Sequence, residues 1–200
     1  MIQSTTPVLI LASASPRRRE LLRQLGVPHC AQPADIDERR LPGESVETCV
    51  VRLAHEKAER IWELQQRALP VLGADTAVVL GEQLLGKPAD RDDGLRMLEH
   101  LSGRTHRVLT AVALMTSQGV SSHLCDSSVS FRALSAQECQ RYWDTGEPRD
   151  KAGGYAVQGF GAAFIAELRG SYSGVMGLPL YEVADLLQRA GLPFWQESAS

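Results

Sequence analysis

Two carboxylates and a set of cationic or hydroxyl side chains could act together on a charged substrate. The carboxylates are Glu38, in a charged loop, and Asp75, inside an apolar run. The candidates for holding an anion are Ser13, Arg17, Arg18, Lys57, Lys87 and Lys151. A polyphosphate bound with a divalent cation needs this combination, because cations hold its oxygens while carboxylates bind the ion and orient a water. A lysine taken singly is more often a solvated surface residue, and the sequence alone does not show that these residues converge on one site.

Asp75 lies in the middle of the apolar run 71–80. Aspartate is depleted in strands, and its burial without a partner costs free energy. Asp75 therefore either belongs to a bulge or turn, which Gly73 could mark, or is present for its chemistry.

Residues 8–19, VLILASASPRRR, form a candidate anion cradle. The run 8–11 has the composition of a buried strand, and Ser15 before Pro16 fits a helix N-cap followed by proline. Three arginines then fall in the first helical turn, where each is unfavourable by about 0.3–1 kcal/mol. A bound anion would resolve this conflict, since the free N–H groups and the dipole favour it. Arginines solvated away from the helix axis would resolve it equally.

Strand and helix patterns alternate in the first half of the chain, and strands then follow one another. Helices are predicted from Pro16, from Ser45 to about Arg67, from about Asp90 to Leu101, from Ser135 through Trp143 and from about Pro179 to Ala190. Strands are predicted over 8–11, 29–33, 71–80, 107–116, 120–132 and 163–168. This order favours an α/β or α+β architecture with a mixed sheet. We expect one domain over 1–195 and a frayed tail at 196–200.

Composition excludes several classes of protein. The formal net charge of −3 argues against a general nucleic-acid binder. The four cysteines are widely spaced without a C-x-x-C pair, which indicates free thiols in a reducing compartment. The apolar run before Ala12 is too short for a signal peptide, and no stretch approaches the ~20 apolar residues of a membrane span. A cytoplasmic protein without nucleic-acid or membrane partners is predicted.

A second glycine-rich stretch, 150–161, follows neither the dinucleotide-binding pattern nor the P-loop pattern. It belongs instead to a series of short motifs along most of the chain. They are Leu-Ala-Ser-Ala-Ser-Pro-Arg-Arg at 11–18, Glu-Lys-Ala at 56–58, Gly-Ala-Asp-Thr at 73–76, Lys-Pro at 87–88, Leu-Ser-Gly at 101–103 and Asp-Lys-Ala-Gly at 150–153. Any one motif is weak, but the set in this order resembles the Maf family of nucleotide pyrophosphatases.

The resemblance implies hydrolysis of a nucleoside triphosphate to the monophosphate and pyrophosphate. It also implies a fold of two lobes around a central nucleotide-binding cleft, related to the inosine-triphosphate pyrophosphatases. Asp75 matches the family's proposed general base and Glu38 a second acidic residue near a divalent metal, Mg²⁺ or Mn²⁺, for which both are candidate ligands. The positions that match phosphate-binding residues are Ser13, Arg18, Lys57 and Lys87. A homodimer is a further expectation from the family.

Three positions concern the nucleobase. In the branch of the family that acts on dTTP and UTP, an arginine follows Ser-Pro, a threonine follows the aspartate, and a glutamine precedes the late glycine. Arg17, Thr76 and Gln158 occupy these positions here. The resemblance thus implies UTP and dTTP as substrates, with CTP or modified uridine nucleotides as extensions. A neutral amide at Gln158 can donate and accept, which suits the imide edge of uracil or thymine.

A function from another class would use the same residues. A nucleotide-sensing binding protein that restrains cell division or septum formation also needs a cationic nucleotide site. Asp75 discriminates between the two functions, because a pure binder gains nothing from an acid beside phosphates it must attract.

Overall fold

The computed structural model describes residues 6–195 of the chain. The helices of this part are α1 (Pro16–Gln24), α2 (Val46–Leu64), α3 (Arg91–Leu101), α4 (Ala136–Asp144), α5 (Tyr172–Val175) and α6 (Leu180–Arg189). Its strands are β1 (Leu9–Leu11), β2 (His29–Ala31), β3 (Val71–Leu80), β4 (Gln83–Leu85), β5 (Thr105–Thr116), β6 (Gly119–Phe131) and β7 (Ile165–Arg169). Short 3-10 turns cover Glu147–Asp150, Ala152–Gly154 and Phe160–Phe164.

The strands form one mixed sheet in the order β2-β1-β3-β5-β6-β7, with β4 paired to β3. Strand β1 runs parallel to both β2 and β3, whereas the β3–β4 and β6–β7 pairs are antiparallel. The predicted mixed-sheet α/β architecture is therefore confirmed. Strand β4 is not predicted from the sequence, which indicates no strand between the third strand and the next helix. Three residues are too few for a pattern, and only Leu85 of the strand is buried.

The described residues group into two compact units. The first contains the residues up to Asp75, Thr110–Cys125 and those from Gly177 onward, and the second contains Thr76–Leu109 and Asp126–Met176. The organisation as one domain over 1–195 stays a prediction, and the predicted tail at 196–200 lies outside the described residues. No helix among residues 6–195 is long and apolar enough to cross a bilayer. All four cysteines are free, as predicted.

Helix capping follows the local sequence. Ser15 caps α1, with its Oγ accepting from the Arg18 amide at 3.4 Å, and Pro16 takes the first helical position. Helix α2 ends at Leu64, so its predicted extension to Arg67 is wrong. Arg67 has a φ of 62° and donates its amide to the Trp62 carbonyl at 2.9 Å, which turns the chain out of the helix.

Strand β3 is continuous through Asp75, and Gly73 has a packing role rather than marking a bulge. A Cβ at Gly73 would overlap the Ala54 carbonyl oxygen and lie 2.9 Å from the Ala58 nitrogen. Glycine is therefore required because α2 packs directly on β3. This close approach brings the strand that carries Asp75 against the helix that carries Lys57.

Substitution of Gly73→Ala is expected to lower the free energy of unfolding by about 1–3 kcal/mol, because the added methyl group must separate β3 from α2. Urea denaturation measures the difference. Gly86→Ala is the matched control, since a Cβ there meets no heavy atom within 4 Å. Equal unfolding midpoints for the two variants would contradict the packing role.

Candidate functional site

The ammonium of Lys57 brings the two candidate carboxylates together. Its Nζ lies 2.7 Å from Glu38 Oε1 and 2.7 Å from Asp75 Oδ1. The Lys57 side chain is 8% exposed and that of Asp75 13%, whereas that of Glu38 is 57% exposed. A cation so buried is stable only with opposite charge at hydrogen-bond distance. The structure thus unites three of the predicted site residues.

Arg18 fixes the backbone beside Asp75. Its Nε donates to the Gly177 carbonyl at 2.8 Å, and its Nη1 donates to the Ala74 carbonyl at 2.8 Å. Burial lowers the pKa of the guanidinium, while the negative charges of Asp75 and Glu38 raise it. Arg18 therefore lies within electrostatic reach of both carboxylates.

Ser13 presents a hydrogen-bond donor at the same place. The residue is 7% exposed. Its Oγ accepts from the Ser15 amide at 3.2 Å and from Arg18 Nη1 at 3.4 Å. A hydroxyl has two acceptor positions and one hydrogen, so these contacts leave the O–H to donate to an anion.

The arginines of the first turn of α1 differ in their surroundings. Arg17 is half-buried, and its charge lowers the pKa of Arg18, whereas Arg19 is exposed. The first turn holds no acidic residue. The beginning of α1 therefore concentrates positive charge where a helix end favours an anion.

Arg52 and Glu44 hold the loop that carries Glu38. Neither residue is predicted from the sequence as part of the site. Arg52 donates to Glu44 Oε1 from Nε at 2.7 Å and to Oε2 from Nη2 at 2.9 Å. Its Nη2 also donates to the carbonyl of Arg39, next to Glu38, at 3.1 Å. These bonds from Arg52, followed by that from the Leu41 amide, lower the pKa of Glu44 to about 2.

We call the Arg52–Glu44 pair the Arg52–Glu44 anchor. The only local signal for it in the sequence is the presence of Glu56 four residues after Arg52 on α2. In the structure, Arg52 Nη1 lies 3.1 Å from Glu56 Oε2. The pairing of Arg52 with Glu44 spans a change from loop to helix. The periodicity of residue types along the sequence does not indicate a contact of this kind. The anchor ties the Glu38 loop to the helix that carries Lys57.

The remaining predicted residues belong to the second unit. Thr76 follows Asp75 in β3 and is half-buried, Lys87 is exposed after β4, and Gln158 is exposed. Their action on the same substrate as the Lys57 group stays a prediction. Lys151 makes a hydrogen bond within its own loop, since its Nζ donates to the Glu147 carbonyl at 2.8 Å.

Glu38 and Asp75 fit the requirements of a hard divalent cation. They supply oxygen ligands from two carboxylates that converge on one positive charge. Magnesium characteristically takes one or two protein carboxylates and completes its coordination with phosphate oxygens and water. Within residues 6–195 there is no group of three or more His, Cys, Asp or Glu residues that could hold a metal ion.

The fold and the first unit together define an α/β protein with a carboxylate–lysine–arginine centre suited to phosphate chemistry. The family model described as "Maf-like protein" matches residues 8–190. The chain belongs to the Maf family.

Curated relatives are similar over nearly the whole chain. A dTTP/UTP pyrophosphatase of Pseudoalteromonas atlantica is 51% identical over 189 residues, which cover 92% of this chain and 98% of the relative. A dTTP/UTP pyrophosphatase of Saccharophagus degradans is 50% identical over 96% of this chain and 92% of the relative. A dTTP/UTP pyrophosphatase of Alkalilimnicola ehrlichii is 53% identical over 90% of this chain and 92% of the relative. Among solved structures, the Staphylococcus aureus Ham1 protein aligns with a TM-score of 0.46 at 14% identity, covering 91% of this chain and 96% of that chain.

Proposed function

We propose that this protein hydrolyses dTTP and UTP to the monophosphate and pyrophosphate. The observation that carries the proposal is the group around Lys57, where a largely buried Asp75 and an exposed Glu38 share one ammonium at 2.7 Å each. The choice of substrate rests on the relatives described as dTTP/UTP pyrophosphatases. Nothing in the comparisons supports the alternative of a nucleotide sensor that restrains cell division.

Asp75 acts as the proton acceptor. Lys57 occupies its Oδ1, so Oδ2 is the oxygen that takes the proton of the attacking water. The water oxygen forms a bond to the α-phosphorus. The bond from that phosphorus to the bridging oxygen breaks, and its electron pair leaves with pyrophosphate. A positioned base of this kind contributes about 10²–10⁴-fold to a rate.

The cationic residues counter the charge that develops on the leaving pyrophosphate. The residues proposed for this role are Ser13, Arg18, Lys57 and Lys87. Donors fixed before the reaction stabilise this charge without reorganising during it. The bonds that hold Arg18 to two backbone carbonyls supply such fixation.

A divalent cation, Mg²⁺ or Mn²⁺, would be held by Glu38 and Asp75. When bound, it supplies positive charge to the phosphate oxygens. The Arg52–Glu44 anchor then serves to keep the Glu38 carboxylate within reach of Lys57 and Asp75.

The test of this function is a panel of nucleoside triphosphates with separate detection of pyrophosphate and orthophosphate, with and without Mg²⁺ or Mn²⁺. Pyrophosphate is expected from UTP and dTTP only when the metal is present. Orthophosphate as the product, or equal turnover of all nucleotides, would contradict the proposal.

The base assignment predicts the effect of Gln158→Glu. A carboxylate can only accept hydrogen bonds, so it loses the donor to a carbonyl of uracil or thymine, whereas its negative charge suits the cationic edge of 7-methylguanine. The ratio of kcat/KM for UTP to that for 7-methyl-GTP is expected to fall about tenfold. Steady-state pyrophosphate release measures it, and an unchanged ratio would refute the role of Gln158.

A further inference from the structure

The glycine-rich loop that carries Gln158 is folded onto one polar pair, the buried Tyr142 and the half-buried Glu147. Gln158 itself is exposed in a turn that the Gly159 amide closes onto the Ala156 carbonyl at 3.4 Å. The three residues before Gln158 are buried. The loop therefore presents one exposed amide side chain from a packed base.

Glu147 accepts hydrogen bonds from the residues that follow this turn. Its Oε2 accepts from the Phe160 amide at 2.9 Å, and its Oε1 accepts from the Gly161 amide at 3.0 Å. Burial raises the pKa of Glu147, but the hydrogen bonds from Tyr142 and from these two amides outweigh burial and lower it. A charged acceptor makes stronger hydrogen bonds than a neutral one.

Tyr142 links the residues that precede Gln158 to Glu147, which binds the residues that follow it. Its hydroxyl donates to Glu147 Oε1 at 2.7 Å and accepts from the Ala156 amide at 3.1 Å. The ring is 4% exposed and packs edge-to-face on Phe164 at 4.9 Å between centroids. The residues on either side of Gln158 are thus bonded to a pair that the core of the second unit fixes.

The same pair explains two glycines of the loop. A Cβ at Gly159 would overlap the Glu147 carboxylate, and one at Gly161 would lie 2.7 Å from Tyr142 Oη. Only glycine lets the backbone close on the pair at these positions. The motif that matched no phosphate-binding pattern is therefore shaped by an internal contact.

We propose that Tyr142 and Glu147 are positioning residues that set the pose of Gln158 and thereby the choice of base. This inference rests on the proposed function, because it assumes that Gln158 reads the pyrimidine. Neither residue touches the substrate, and both act through the backbone of the loop. Their loss should weaken selection of the base and leave the residues around Lys57 unchanged.

The variant Glu147→Gln keeps the size of the side chain but replaces one acceptor oxygen with an amide nitrogen. At least one backbone amide of the loop then loses its acceptor. The ratio of kcat/KM for UTP to that for GTP is expected to fall about three- to tenfold. The change should arise in KM for UTP, because binding of the base is altered and proton transfer is not.

Glu138→Gln is the matched control. Glu138 lies on α4 with Tyr142, accepts from the Ser135 amide at 2.9 Å and pairs with Arg132. The substitution makes the same change of charge and also removes a backbone contact, which here is a helix cap. The hydrogen bonds and ion pair of Glu138 given above involve no residue of the 150–161 loop. The ratio of UTP to GTP turnover of the Glu138→Gln variant should therefore equal that of the unaltered protein.

Tyr142→Phe is the second variant, and it removes only the hydroxyl that joins the two sides. Amide hydrogen exchange at Ala156, Phe160 and Gly161 should accelerate about tenfold in it. This measurement does not depend on turnover. It therefore remains informative if the unaltered protein releases no pyrophosphate from UTP or dTTP, a result that would overturn the proposed function alone.

A lower UTP-to-GTP ratio in Glu147→Gln, with an unchanged ratio in Glu138→Gln and faster exchange in Tyr142→Phe, is the expected result. An equal loss of turnover on all nucleotides would show a merely structural role and overturn the proposal. Unchanged ratios, or exchange at the three amides that matches the unaltered protein, would overturn it as well.

Discussion

Replacing Asp75 with asparagine is expected to lower kcat for UTP by about 10²–10⁴-fold while KM changes little. Asparagine keeps an oxygen that can accept from Lys57, which lies 2.7 Å from Asp75 Oδ1, so the arrangement of the site should persist. The amide cannot take the proton of a water. Steady-state pyrophosphate release gives kcat, and calorimetric titration of UTP gives the affinity of the variant.

The control for Asp75→Asn is Asp126→Asn. Asp126 makes a partly exposed ion pair with Arg107 at 2.7 Å, so its substitution changes the charge by the same amount in a different ion pair. It should leave kcat unaltered. Full activity of Asp75→Asn would refute the role of proton acceptor. Loss of UTP binding in step with activity would assign Asp75 to binding instead.

Replacing Lys57 with methionine is expected to reduce both turnover and stability. The ammonium is buried and pairs with two carboxylates, so its removal leaves Asp75 without the cation at hydrogen-bond distance. The free energy of unfolding should fall by about 3 kcal/mol, toward the lower end for a broken buried pair because Glu38 is largely exposed. The loss of a fixed donor to the phosphates should lower kcat about 10²–10³-fold. Urea denaturation and pyrophosphate release measure the two effects.

The double variant Lys57→Met/Asp75→Asn separates the origins of that instability. If unpaired charge at Asp75 causes it, the double variant should recover about 1 kcal/mol relative to Lys57→Met. Strictly additive losses would contradict the account, since they would show that Lys57 and Asp75 do not interact.

Features that depend on neighbouring residues could be predicted from the sequence. The start of α1 is set by Ser15 and Pro16, whose capping chemistry acts within one turn. Ser45 and Ser135 set the starts of α2 and α4 in the same way. The end of α2 was placed too late because two residues with positive φ, Gln66 and Arg67, carry no glycine signal.

Features that depend on distant contacts could not be predicted. Gly73 suggested a bulge, whereas the close approach of α2 requires it. Asp75 was ambiguous because its partner Lys57 lies on another element. Partners such as the buried Glu44 and the half-buried Glu147 resemble surface acids in the sequence, and only their contacts reveal what they hold.

Hydrolysis of UTP in water enriched in oxygen-18 tests the central claim most directly. Attack at the α-phosphorus transfers the oxygen of water to the monophosphate, so mass spectrometry should find the label in UMP and none in pyrophosphate. Label in pyrophosphate, or release of labelled orthophosphate with UDP, would show attack at another phosphorus and contradict the account.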